Sequence, residues 1–215
     1  RPEGGVYSTV VSEVMTVLAH HHYGKLAEDA LSVVGSGGDT HIRRYLHPLM
    51  VDRMSKNDPS ILPPGQTWAT VLGGALERAV AVLQGQLGVD MTTWRWGSLH
   101  HTAHQHPLSA AFPEAAGALN PPQVATSGDG DTPLAGAHGT LTYTCGAASV
   151  NRYVHDPSDW RNSRWIVPLG ASGHPGSRHY SDQQQTWANV ETIPMLWDFG
   201  DIEKDAESAQ RRGPG

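Results

Sequence analysis

At 215 residues the chain can bury one substantial core or two small ones, and its 38% hydrophobic content with 24 glycines and 15 prolines describes a globular, loop-rich protein. A net charge of −6 with no long basic run argues against nucleic acid or an anionic membrane as partner, and no apolar run approaches the roughly 20 residues of a membrane-spanning helix. Cys145 is the single cysteine, which excludes an internal disulfide and a cysteine-built zinc site within the chain.

The N-terminus lacks the charged-then-apolar pattern of a signal peptide, so any export signal is expected upstream. The abrupt opening Arg1-Pro2-Glu3-Gly4-Gly5 suits a segment cut from a longer precursor, and equally an arbitrary boundary. From Val6 to Val34 the residues Val10, Val14, Val17, Leu18, Leu26, Ala30 and Leu31 recur at helical spacing, which predicts one or two helices with Gly24 between them. The glycine-rich stretch from Gly35 breaks the pattern, and Asp39 or Thr40 is placed to cap a helix running to about Met54. Pro63-Pro64-Gly65 interrupts again.

Thr67 to Leu87 carries the clearest helical signal. Trp68, Leu72, Ala75, Leu76, Ala79, Val82, Leu83 and Leu87 form an apolar stripe, and Gly88 stands where a C-terminal cap belongs. Beyond it the apolar runs shorten to strand length: 139–144, 148–155 and 164–169 predict strands, while His179 to Trp187 and Asp201 to Arg211 return to helical character. The expected class is α+β, with a mainly helical segment over 1–90 and a strand-and-loop segment over 91–215 that ends in a helix.

Four segments of the C-terminal half are distinctive in their succession. They are Trp94-Arg95-Trp96-Gly97-Ser98-Leu99-His100 with His106-Pro107-Leu108; Gly128-Asp129-Gly130-Asp131-Thr132; Ala147 to Asp156 leading into Gly170-Ala171-Ser172-Gly173-His174-Pro175-Gly176-Ser177; and His179-Tyr180-Ser181-Asp182-Gln183 followed by Trp187 and Pro194-Met195-Leu196-Trp197. In this order they resemble the end of the large subunit of penicillin amidases, over about Thr67 to Arg211. Two departures stand out: Ala171 replaces the usual glutamine of the glycine motif, and Pro133-Leu134 stand where an asparagine commonly follows the aspartate motif.

The resemblance implies the C-terminal part of an αββα layered N-terminal-nucleophile hydrolase fold. In such enzymes autoproteolysis exposes a serine, threonine or cysteine whose hydroxyl or thiol attacks the amide carbonyl, and its own α-amine, with a pKa near ~7.7 to 8.0, serves as base. Arg1 is not such a residue. The resemblance therefore implies that the small subunit and the N-terminal part of the large subunit of the same precursor supply the nucleophile and oxyanion hole. No catalytic, cofactor-binding or metal-binding residue is carried over to this chain. A structural calcium would lie elsewhere in the assembled enzyme. Substrates would be acyl amides of the penicillin, cephalosporin or acyl-homoserine-lactone type, in a periplasmic or secreted protein.

Plainer readings compete with sharper ones at several residues. The 13 histidines invite a metal, above all His20-His21-His22 and His100 with His104, yet i, i+4 ligands require a helix where the resemblance implies strand or loop. A non-enzymatic histidine-rich binding domain is the competing function. Asp129-Gly130-Asp131 resembles the start of a calcium loop but lacks its closing glutamate, so a turn whose aspartates bond to backbone amides is preferred. Ser172 fails the nucleophile-elbow pattern because His174 replaces its second glycine, and a triad of Ser172, His174 and Asp182 is disfavoured. Trp94, Trp96, Trp165, Trp187 and Trp197 read as core before acyl-pocket walls, and His179, Tyr180, Asp182 and Gln183 as a buried set pinning a helix start to the sheet.

Overall fold

A computed structural model describes the backbone of residues 2–24, 38–130, 132–138 and 143–208. Helix α1, Pro2–Tyr23, opens with proline at its first position, where the missing N–H costs no hydrogen bond, and stops at Gly24, whose φ of 52° suits a residue without Cβ. The second half of the expected N-terminal pattern, Leu26 to Leu31, lies outside the described residues. Helix α2, Gly38–Ser55, and helix α3, Trp68–Leu87, follow.

Helix α3 meets the expectation at both ends. Thr67 Oγ1 accepts from Thr70 N while Thr70 Oγ1 accepts from Thr67 N, and Gly88 closes the last turn with its N–H on Gln84 O. Its buried face is narrower than the predicted stripe. Trp68, Val71, Ala75, Ala79 and Leu83 are buried, whereas Leu76 and Val82 are exposed. Each is one residue, about 100°, away from the buried line, and α3 packs chiefly on α1, which covers one side only. Val14, Met15 and Leu18 of α1, Leu46 and Met50 of α2, and Trp68 and Val71 of α3 meet in one apolar cluster.

The chain divides into two compact units, residues 1–105 with 123–148, and residues 106–122 with 149–215. The first holds the three helices and a two-stranded antiparallel ladder, β1 (Gly136–Ala137) with β2 (Ala147–Ala148), in register Gly136 to Ala148. The second holds an antiparallel sheet of order β3-β4-β5, from Arg152–Val154, Arg164–Ile166 and Ile193–Pro194, with short helices α4 (Ala116–Leu119), α5 (Gln184–Ala188) and α6 (Phe199–Asp205). Mixed helices and small sheets agree with the α+β expectation.

Several predicted bounds shift. The expected 148–155 strand is broken into β2 and β3, and that of 164–169 shortens to β4. Most of the 139–144 strand lies outside the described residues. The predicted 179–187 helix forms only from Gln184, because His179 O accepts from Ser172 N and Gln183 N donates to Leu169 O, so the i to i+4 bond between them is replaced by long-range ones. The last helix spans Phe199–Asp205, its first turn capped by Asp198 Oδ1 on Gly200 N, and 209–211 lie outside the described residues.

Candidate functional site

The tryptophan–histidine motif builds a buried polar knot in the first unit. Trp94 Nε1 donates to Gly88 O (2.9 Å) and Trp96 Nε1 to Gly128 O (3.0 Å), so each indole fills the core with its N–H satisfied. Beyond them His100 to Ala103 is extended and bonded on both sides: Thr102 N donates to Val124 O and Thr126 N to His100 O, while Cys145 N donates to His101 O. This backbone carries the fully buried His100, whose ring stacks on Trp96 at 4.6 Å and 11°.

His100 Nδ1 lies 2.6 Å from Tyr143 O. A carbonyl accepts only, so Nδ1 carries the proton and Nε2 is the bare nitrogen, a buried atom with no hydrogen-bond partner among the described residues. Burial pulls the imidazole pKa below its ordinary value against the opposing effect of the Tyr143 carbonyl, and neighbouring His138 lowers it further. Around it, His138 Nε2 is 3.1 Å from Ser8 Oγ and Thr9 Oγ1 is 3.0 Å from Tyr143 Oη, tying α1 to β1 and to the loop before β2. Burial raises the Tyr143 hydroxyl and the Cys145 thiol, so these groups stay protonated near neutrality.

Ser8 with His138 has the separation of a nucleophile and its base, a pairing the sequence did not point to because 130 residues separate them. Ser8 is only 4% exposed, inside α1, so no substrate carbonyl can approach its Oγ, and the pair is a packing contact. The aspartate motif turns through the Thr132 hydroxyl, where the expected closure was by aspartate side chains: Thr132 Oγ1 accepts from Asp129 N (3.0 Å) and donates to Leu134 O (2.9 Å). Gly128 has a φ of 85°, and a Cβ there would stand 2.0 Å from Leu134 O, so only glycine fits. Asp131 lies outside the described residues.

In the second unit the glycine and H-Y-x-D-Q motifs lock together. A Cβ on Gly170 would lie 2.1 Å from His179 O and 2.5 Å from Asp182 Oδ1, so the glycine is what lets the two segments touch. Tyr180 Oη donates to Leu119 O (2.7 Å), Gln183 Oε1 accepts from Val167 N (3.3 Å) and Gln184 Nε2 donates to Pro122 O (2.8 Å). The expected pinning set exists, but it is not buried: the His179 and Asp182 side chains are 40% and 37% exposed, joined Nδ1 to Oδ2 at 2.6 Å, with Glu207 Oε1 on His179 Nε2 at 2.8 Å. Arg178 also meets Glu207.

The triad of Ser172, His174 and Asp182 does not assemble. His174 Nδ1 accepts from Gly176 N (3.0 Å), Ser172 Oγ accepts from His174 N (3.2 Å), and Asp182 pairs with His179. His100 and His104 lie outside any helix, on either side of the bridged residues His101 and Thr102. Among the described residues, no three His, Cys, Asp or Glu side chains are grouped to hold a metal ion. Trp94, Trp96 and Trp187 are core, the last donating to Ser149 O, but Trp197 is exposed. Arg152 lies over the Trp187 ring at 4.6 Å and donates through Nη2 to Trp187 O (2.5 Å), closing the end of α5. What these motifs provide is a frame of short hydrogen bonds and obligatory glycines.

Residues 5–204 match the family model described as penicillin amidase. The penicillin acylase 2 proenzyme of Pseudomonas sp. strain SE83 is 38% identical over 169 residues, 76% of this chain and 20% of that protein. An acyl-homoserine lactone acylase of Pseudomonas putida, QuiP, is 31% identical over 123 residues, 55% of this chain and 14% of that protein. The chain thus spans a fifth or less of the length of the relatives it matches. With nearly its whole length inside the family match, and the family motifs folded into one frame in each unit, the chain belongs to the penicillin amidase family.

Proposed function

We propose that this chain is the C-terminal stretch of the large subunit of an N-terminal-nucleophile acylase. The enzyme hydrolyses the amide between an acyl chain and an amine, and its nucleophile comes from polypeptide outside these 215 residues. The observation that carries the reading is the use to which the family motifs are put: His100, Gly128, Gly170 and Gln183 all serve packing and backbone closure. The family match over 5–204 and the fifth-share of the proenzyme relative support a composite enzyme in which this segment completes an αββα layered core.

In such an enzyme the free α-amine of the nucleophilic residue takes the proton as its hydroxyl or thiol attacks, and the acyl-enzyme is then hydrolysed by water. The small subunit and the start of the large subunit of the same precursor are the partners. No cofactor is assigned to this chain, and a structural calcium in the assembled enzyme belongs elsewhere. The names of the relatives, a penicillin acylase and an acyl-homoserine lactone acylase, set the substrate classes to assay. A periplasmic or secreted location rests on the family alone; among the described residues, no helix is long and apolar enough to cross a membrane.

Intact mass and N-terminal sequencing of the native protein test the reading, together with hydrolysis assays on a β-lactam amide and an N-acyl-homoserine lactone. The expected result is an active protein containing a chain that starts with Ser, Thr or Cys. Hydrolysis by the isolated 215-residue chain would overturn it.

A further inference from the structure

The second unit carries an aromatic surface that its own fold leaves uncovered among the described residues. Tyr153 on β3 contacts His155 (4.8 Å), His155 contacts Trp160 (6.2 Å), and Trp160 contacts Trp197 (5.0 Å), so four rings from three stretches of chain form one continuous cluster. Tyr153 is 57% exposed, Trp160 49% and Trp197 48%, and Leu196 and Phe199, next to Trp197 in the sequence, are exposed as well. Single exposed apolar residues are ordinary, but a joined aromatic patch on a soluble surface marks a contact site. Tryptophan and tyrosine are also the residues that concentrate binding energy at interface centres.

Two further features adjoin these residues in the chain. Tyr153 lies on β3, and Trp197 follows shortly after β5, and these are the two edge strands of the sheet. An open groove of about 460 Å³ is lined by Ile193, Pro194, Leu196, Asp201, Lys204 and Asp205, on both sides of Trp197 in the sequence. The surroundings are acidic, with Asp156, Asp159, Asp198, Asp201 and Asp205 in this stretch; Arg161 is held by Asp159 and Lys204 by Asp201.

We propose that this aromatic face is a docking surface for the acylase polypeptide outside these 215 residues, which meets it with apolar side chains framed by lysine and arginine. The inference rests on the composite-enzyme reading above and adds where the pieces join. The relative of which this chain covers 20% has several times more polypeptide to pack against it. A second copy of the chain is the poorer occupant, because each carries a net charge of −6 and an acidic rim would meet an acidic rim.

Hydroxyl-radical footprinting of the native full-length protein compares the oxidation of Tyr153, Trp160 and Trp197 with the rates that their 57%, 49% and 48% exposure on this uncovered face predicts. Oxidation about an order of magnitude below those rates is expected, as burial at a water-excluding interface centre requires. As a second measurement, W160K or W197K in the chain should weaken its association with the remaining polypeptide by ~30-fold or more. Oxidation at the rates that exposure predicts, or unchanged association of both variants, overturns the docking surface while leaving the composite enzyme standing. Protection that appears only as the full-length protein is concentrated assigns the face to a second copy and also overturns it. A native protein with no polypeptide beyond this chain removes both the composite-enzyme reading and this one.

Discussion

His100 has one ring nitrogen committed to a carbonyl and the other buried with no acceptor among the described residues, so folding favours its neutral form. Its folded pKa is depressed below the ordinary 6.5. Its stabilising contribution is therefore fully present above that ordinary value and is lost as pH falls through the depressed one, where the unfolded chain binds the proton and the folded chain resists it. Burial shifts His104 in the same direction. The urea midpoint of the assembled protein should fall between neutral pH and about 5, and H100Q, which keeps a donor for Tyr143 O without titrating, should flatten that slope. An unchanged slope in H100Q would remove His100 from the effect. At Gly170 the constraint is steric: G170A should cost about 1–3 kcal/mol or more in chemical denaturation, because the added methyl meets a carbonyl at 2.1 Å. Both residues stand out in the sequence as motif members, but the reason for each lies in a contact the sequence does not display.

Helix α3 shows how far local pattern reaches. Its ends and period follow from Thr67, Gly88 and the apolar spacing, and the structure agrees at both caps. The width of its buried face depends on what packs against it, and the buried line runs through Trp68, Val71, Ala75, Ala79 and Leu83 alone. Accordingly L83A should destabilise by about 2–5 kcal/mol, whereas L76A should stay within about 0.5 kcal/mol, although both residues belong to the predicted stripe. Thermal or urea unfolding of the two variants separates them, and equal losses would show that α3 packs on both flanks. The start of α5 went the other way. Sequence periodicity favoured a helix from His179, but the backbone groups of His179 and Gln183 are taken by Ser172 and Leu169, and the helix begins only at Gln184.

At the scale of the whole molecule, the sheet of each unit is built from short strands: two-residue strands in the first, two- and three-residue strands in the second, whose edges at β3 and β5 have aromatic residues beside them. Such edges are stable when covered. On the proposed reading, the isolated 215-residue chain should melt broadly and gain a sharp transition only with the rest of the acylase present. Calorimetry of both preparations checks this, and a sharp two-state melt of the isolated chain alone would count against it.

By itself the sequence determined the family, from the order of motifs between Trp94 and Trp197, and the one helix whose caps and stripe are local. It also placed Gly128 and Gly170, whose missing Cβ admits a neighbouring backbone carbonyl, within motifs. Only the tertiary structure decided which apolar residues are buried, which tryptophans are core, and that Ser8, His138, Tyr143 and His100 meet. Those are properties of contacts between residues far apart in the chain, and burial depends on the partner surface that a side chain meets rather than on the side chain itself.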